Sequence, residues 1–171
     1  MDNFNNNNLS FISYNCQHAD ELRLPFLQNL FENCDFLLLQ EHSLYQSKLC
    51  WFNEVGSTDG DTKVKVGIHG VSAMDESKQL RGRPYGGAVI LWHETLVGHI
   101  NPVAWDSKRF CAVTYNTGDN IILIICIYMP CDDWRLDGNV IEYIDILNEI
   151  YTLSVYTKQI TYVLEEILTS I

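Results

Sequence analysis

Apolar residues fall in short blocks, separated by stretches rich in Gly, Asp, Asn and Ser, and the spacing within each block names an element. Leu9 to Tyr14, LSFISY, reads as a strand of aromatic and β-branched residues, ended by the polar NCQHAD. Leu22, Phe26 and Leu30, with Leu27 and Phe31 beside them, recur at helical spacing. Pro25 suits the first turn of that helix, where its missing N–H has no partner to lose. Asn33-Cys34-Asp35 closes the helix, and Phe36 to Leu39 is an unbroken apolar run, as in a strand covered on both faces. A strand, a helix and a strand in succession predict a parallel crossover.

Further along, residues 53–87 are predicted to be a long polar loop. Ala88 to Trp92, Ala112 to Tyr115 and Ile121 to Tyr128 read as strands, with the hairpin turn NTGDN at Asn116 to Asn120 between the last two. A helix begins at Asn139, with Val140, Ile144, Leu147 and Tyr151 on one face, and Ile160 to Leu164 is a last short strand. Hairpin-linked and helix-linked strands in one domain imply a mixed sheet, so the class is α/β (α+β).

Composition narrows this. With 171 residues and 47% hydrophobic content the chain builds one core, either a single domain or part of a larger one. Residues 1–8, with their run Asn5 to Asn8, read as a disordered arm ahead of a domain at 9–171. No apolar run approaches the roughly eighteen residues of a membrane span, and MDNFNNNN lacks the parts of a signal peptide. A nuclear or cytoplasmic location is expected, with six reduced cysteines. No C-x-x-C pair occurs, so structural zinc is not expected. The net charge of −11 opposes simple nucleic-acid binding, which draws its affinity from basic groups. A bound cation softens that conflict.

The candidate chemistry sits where strands end. Asn15 follows the first strand, Gln40-Glu41-His42 the second, and Tyr128 closes IICIY. Ligands in helix-covered sheets bind beyond strand ends. A carboxylate there can hold magnesium, which takes oxygen ligands and keeps several waters. An amide or a phenol can contact a phosphate oxygen. Lys78, Arg81 and Arg83 form a basic island that is either a solvated loop or a phosphate-facing one. His18, His69, His93 and His99 show no pairing and read as structural.

The segments SFISYNCQ, PFLQNLFENCDFLLLQEH, GRPYGGAVILWHETL, KRFCAVTY and IICIYMP occur in that order. Together they resemble the endonuclease/exonuclease/phosphatase fold of magnesium-dependent phosphodiesterases, and within it the apurinic-type endonuclease domains of non-LTR retrotransposons. The resemblance implies Mg (or Mn) held by Glu41, Asn15 near the metal and the scissile phosphate, and Tyr128 of a Tyr-x-Pro motif on the phosphate. DNA is the implied partner. A histidine after that glutamate also fits the resemblance, but no catalytic role is inferred for His42, which is expected to be exposed or packed.

Two motifs of that family are absent. Gly-Asp-x-Asn should follow ITYVL, but the chain reads EEILTSI, with Ile167 and Thr169 at the expected aspartate and asparagine positions. Ser-Asp-His, the source of the general base, does not occur. The resemblance implies a sandwich of two sheets with outer helices. On this reading the first sheet is largely present and the second mostly missing. An apolar face of the first sheet would then meet water and promote self-association. Three readings follow: an endonuclease, a degenerate fragment that binds nucleic acid or protein without hydrolysis, and a phosphoesterase acting on a small phosphate ester. Losing a general base alone lowers rates by about a hundredfold to ten-thousandfold, so little hydrolysis is expected.

Overall fold

The computed structural model describes residues 9–56, 64–80, 82–130, 137–157 and 160–165, with 137–139 and 160–165 described by backbone alone. The Asn5–Asn8 arm, Arg81, Cys131, Ile167 and Thr169 lie outside these residues. Strands β1 (Phe11–Asn15) and β2 (Phe36–Gln40) flank α1 (Leu24–Glu32), which carries Pro25 in its first turn. The crossover makes β1 and β2 parallel, in register from Phe11↔Phe36 to Asn15↔Gln40. A 3-10 segment, Gln46–Gly56, leads to β3 (Val66–Val71) and β4 (Ala88–His93). These complete a first sheet of order β1-β2-β4-β3, with both β2–β4 and β4–β3 antiparallel.

The second sheet has the order β5-β6-β7-β8. Its strands are β5 (Ile100–Val103), β6 (Phe110–Asn116), β7 (Ile121–Ile127) and β8 (Ile160–Glu165). The β6–β7 hairpin turns through Gly118, whose φ of 93° is open to glycine at no steric cost. A second crossover helix, α2 (Asp137–Thr157), brings β8 parallel to β7.

Three apolar layers follow from strand alternation. Leu37 and Leu39 of β2 face α1 and the 3-10 segment, among Leu27, Phe31 and Phe52. Phe36 and Leu38 point the other way, into a layer with Ile90, Cys111, Val113, Ile124 and Cys126 that joins the two sheets. Leu123 and Ile125 of β7 pack under Ile146, Ile150 and Leu153 of α2. All five β2 residues are buried, as their unbroken apolar run predicts. Each fully buried Leu or Phe contributes about 1.5–3 kcal/mol by removal from water.

The two-layer sandwich is the expected class, but the structure differs from the sequence reading in its details. The second sheet contributes four strands, because Ala112 to Tyr115 and Ile121 to Tyr128 belong to it and not to the first. The face of the first sheet expected to meet water is covered within the chain by β6 and β7, so it is not an association surface. Strand β3 lies inside the predicted loop. Its glycines hid it: Gly67 leaves room for the Trp92 ring and Gly70 for Val89, so the apolar alternation is broken where a neighbour fills the gap. Strand β5 contains Pro102, tolerated because it is an edge strand. Val140, Ile144, Leu147 and Tyr151 do share one face of α2, as expected; it is the outer face, while Ile146, Ile150 and Leu153 face the sheet.

Candidate functional site

Parallel pairing of β1 and β2 ends both strands at one edge, which sets Asn15 beside Gln40 in register. The chain then bends sharply. Gln17, His18, Glu41 and Ser43 all have positive φ, and they are the only described non-glycine residues that do. Such conformations cost about 1–3 kcal/mol each and persist only where the surroundings fix them. Here hydrogen bonds do so. Cys16 N–H donates to the Gln40 carbonyl (3.0 Å) and Ala19 N–H to that of His42 (2.9 Å). Glu41 N–H donates to the Gly87 carbonyl (2.9 Å) and Ser43 N–H to that of Gly86 (2.8 Å).

Each member of Gln40-Glu41-His42 has a separate fate. Gln40 points between the sheets, where its Nε2 donates to Ser13 Oγ (3.0 Å) and to Cys126 Sγ (3.4 Å). Its Oε1 is buried and has no hydrogen-bond partner. His42 is fully buried, and Leu44 N–H donates to its Nδ1 (3.0 Å). The proton therefore sits on Nε2, which donates to the Val71 carbonyl (3.0 Å). Burial pushes this imidazole down to about 4, so it is neutral at physiological pH and acts as a lock between β2 and β3. Only Glu41, between them, is partly exposed.

Asn15 is nearly buried, and its Oδ1 accepts from Gln17 N–H (3.0 Å), which fixes the amide. Tyr128 follows β7, and its N–H donates to the Arg109 carbonyl (2.7 Å). The Arg109 guanidinium lies 5.2 Å from the centre of the Tyr128 ring and is paired to Glu142 through Nη2 (2.6 Å). Gly86 meets the same ring from another side: a Cβ there would stand 3.1 Å from Tyr128 Cε1 and 2.7 Å from Ala73 Cβ. Asn15, Glu41 and Tyr128 thus share one end of the sandwich. They are linked by the Asn15–Gln40 register, the Glu41–Gly87 hydrogen bond and the Gly86–Tyr128 contact.

The basic island is only partly described. Lys78 pairs with Asp75 at 3.0 Å and lines a cleft of about 630 Å³ together with Met74, Gln79, Tyr85 and Lys108. Arg83 is exposed, and Arg81 lies outside the described residues. Among the other histidines, His93 stacks on Phe31 at 4.2 Å and bonds its carbonyl, and burial lowers the pKa of His69. Sequence reasoning missed Arg109, Lys108 and the two glycines. Gly86 and Gly87 were visible only as part of GRPYGG, and nothing in the order of residues announced that they seat Tyr128 and His42.

No cluster of three or more His, Cys, Asp or Glu side chains gathers as a metal cage among the described residues. A single carboxylate beside an amide and a phenol suits magnesium, which keeps most of its water. No described helix is long and apolar enough to cross a membrane.

The chain has the endonuclease/exonuclease/phosphatase fold. Three solved structures carry that statement. An apurinic endonuclease from Leishmania major matches with a TM-score of 0.61 and 16% identity, over 86% of this chain and 49% of its own. The catalytic domain of Xenopus laevis APE2 matches at 0.59 and 13% identity, over 95% and 59%. The catalytic domain of human Nocturnin matches at 0.56 and 10% identity, over 91% and 62%. The chain therefore spans about half to three-fifths of the length of the solved structures it matches. No family model matches the sequence, and no curated protein matches it.

Proposed function

We propose that the strand-end site binds a divalent cation and a phosphodiester, and that this chain derives from a magnesium-dependent endonuclease of the retrotransposon kind. The observation that carries the reading is the left-handed Glu41, φ 55°, pinned to Gly87 between two buried neighbours. A partly exposed carboxylate carried on a strained backbone, whose N–H is hydrogen-bonded to Gly87 where the strand ends, is hard to explain by stability alone.

On this reading Glu41 holds Mg or Mn. The cation would supply positive charge to a phosphate oxygen and to an incoming water. Asn15, oriented by the Gln17 N–H, presents its two amide N–H donors to a phosphate oxygen or a metal-bound water. Tyr128, seated on Gly86 and capped by the Arg109 guanidinium, presents its hydroxyl to the same phosphate. Lys78, Arg83 and Lys108 extend the positive surface along the adjoining loop, and the exposed Tyr85 offers a ring on which a base can stack. One similar structure, a Neisseria 3′ phosphatase, is bound to a product DNA hairpin at a TM-score of 0.54, which favours DNA as the ligand.

Binding and hydrolysis separate here. The 171 residues contain no Gly-Asp-x-Asn and no Ser-Asp-His, the motifs from which the resemblance would draw the water-activating groups. The chain is therefore expected to bind Mn²⁺ without nicking DNA. Water-proton relaxation with Mn²⁺ should show a site that Glu41→Gln abolishes and Glu94→Gln leaves intact. Equal binding by wild type and Glu41→Gln would refute the metal assignment. Glu41-dependent plasmid nicking with magnesium would refute the inactive reading. The net charge of −11 keeps a second reading in play, a small phosphate ester as ligand. Competition between a mononucleotide and a DNA duplex for the Mn²⁺ complex separates the two.

A further inference from the structure

We infer that the outer face of α2 is a homodimer interface, an association independent of the strand-end site. The helix has two apolar stripes. Ile146, Ile150 and Leu153 are buried against the second sheet. Val140, Ile144, Leu147, Tyr151 and Val155 form the other stripe, and each remains between 44% and 71% exposed. A surface helix normally carries one apolar stripe and a polar opposite face. Here the second stripe is spaced 4-3-4 from Val140 to Tyr151, which is the seam spacing of paired helices.

The face is suited to a copy of itself. Between Val140 and Val155 the acids Glu142, Asp145 and Glu149 all lie more than about 100° around the helix from the axis of the outer stripe. Glu142 is already paired with Arg109. The positions bordering the stripe, Asn148 and Thr152 among them, are uncharged. Two such faces related by a two-fold axis meet without juxtaposing like charges, which is what an isologous interface requires. A basic amphipathic partner would find no acid along the seam to pair with.

Area supports the same occupant. The 21-residue helix is about 30 Å long. Exposed surface of the five stripe residues and the bordering Ile141 amounts to roughly 600 Å², which doubled across a two-fold axis reaches the ~1,200 Å² at which stable interfaces begin. A contiguous apolar patch of this size is at the upper end of what a monomer leaves in water.

Sedimentation equilibrium of the 171-residue chain over a hundredfold concentration range tests the inference. The expected result is a monomer–dimer equilibrium. Leu147→Glu should weaken it by about a hundredfold or more, because the pairing then buries an unpaired charge at the centre of the seam. Leu22→Glu, at another exposed apolar residue, should leave it unchanged. Since Leu147 lies outside the core, circular dichroism should show the variant folded, and the double variant Ile144→Gln/Tyr151→Gln gives the same reading without adding charge. A wild type that stays monomeric overturns the inference. So does a dimer that survives Leu147→Glu and the double variant, or one that Leu22→Glu dissociates.

Discussion

Replacing Gly87 with alanine probes the joint between the folded core and the strand-end site. Gly87 has φ 95°, where an L-residue is strained, and a Cβ built there would overlap the His42 ring. The conformational term is about 1–2 kcal/mol. Moving the imidazole adds more, because His42 bridges Leu44 N–H and the Val71 carbonyl from a fully buried position. Leaving such groups unpaired costs about 1–3 kcal/mol. Together the loss should be about 3–4 kcal/mol. A suitable control exists in Gly118, which has nearly the same φ, 93°, but nothing within 4 Å of its built Cβ. Gly118→Ala should show the conformational term alone. In urea melts, with a slope of about 2 kcal/mol per molar, the midpoint should fall by about 1.5–2 M for Gly87→Ala and 0.5–1 M for Gly118→Ala. Equal shifts would show that His42 is not held against Gly87, and the hydrogen-bonded joint would have to be abandoned.

Other consequences are as direct. His42 titrates at about 4 in the fold, below its ordinary 6.5, so the unfolded chain binds more protons between those values. Stability should therefore be full above about pH 6.5 and fall by about 3 kcal/mol as pH drops toward 4. Urea midpoints from pH 7.5 to 4 measure this, and a flat profile over that window would contradict a buried neutral imidazole. Leu38→Ala should cost about 2–5 kcal/mol, since Leu38 is buried between the two sheets; a loss below 1 kcal/mol would mean that this face meets water after all. Affinity for a DNA oligomer in the presence of Mn²⁺ should fall with salt at a log–log slope of about −1 to −3, reflecting few phosphate contacts. A steeper slope would point to a more extensive basic surface than Lys78, Arg83 and Lys108 provide.

What could be read from sequence divides along physical lines. Strands β1, β2, β4, β6 and β7 announced themselves because burial demands apolar runs, β8 by its run of β-branched and aromatic residues, and α1 because its periodicity agreed with Pro25 at its start. Strand β3 did not, since Gly67 and Gly70 give up side chains to neighbours distant in sequence. Which face of α2 packs inward was not legible either: both of its stripes have helical spacing, and only the sheet beneath decides which is covered. At the site, Asn15, Glu41 and Tyr128 were legible as polar residues ending apolar strands. Arg109 was not, because its place over Tyr128 depends on the pairing of β6 with β7.

The acidity of the chain no longer weighs against a phosphate ligand in the way composition alone suggested. At physiological ionic strength charges are screened beyond about 8 Å, so a ligand responds to its immediate surroundings more than to a total of −11. Around the strand ends those surroundings are mixed. Lys78 and Arg109 are each held by an acid, at Asp75 and Glu142, while Lys108 makes no ion pair among the described residues. Between Val140 and Val155 the acids of α2 lie away from its outer seam, so the net negative charge does not by itself prevent copies of the chain from meeting there. What the site lacks in fixed positive charge a cation on Glu41 would bring with it, which makes phosphate binding conditional on metal. A basic surface would bind phosphate with or without the metal, and that conditional dependence is the property by which the strand-end site can be recognised.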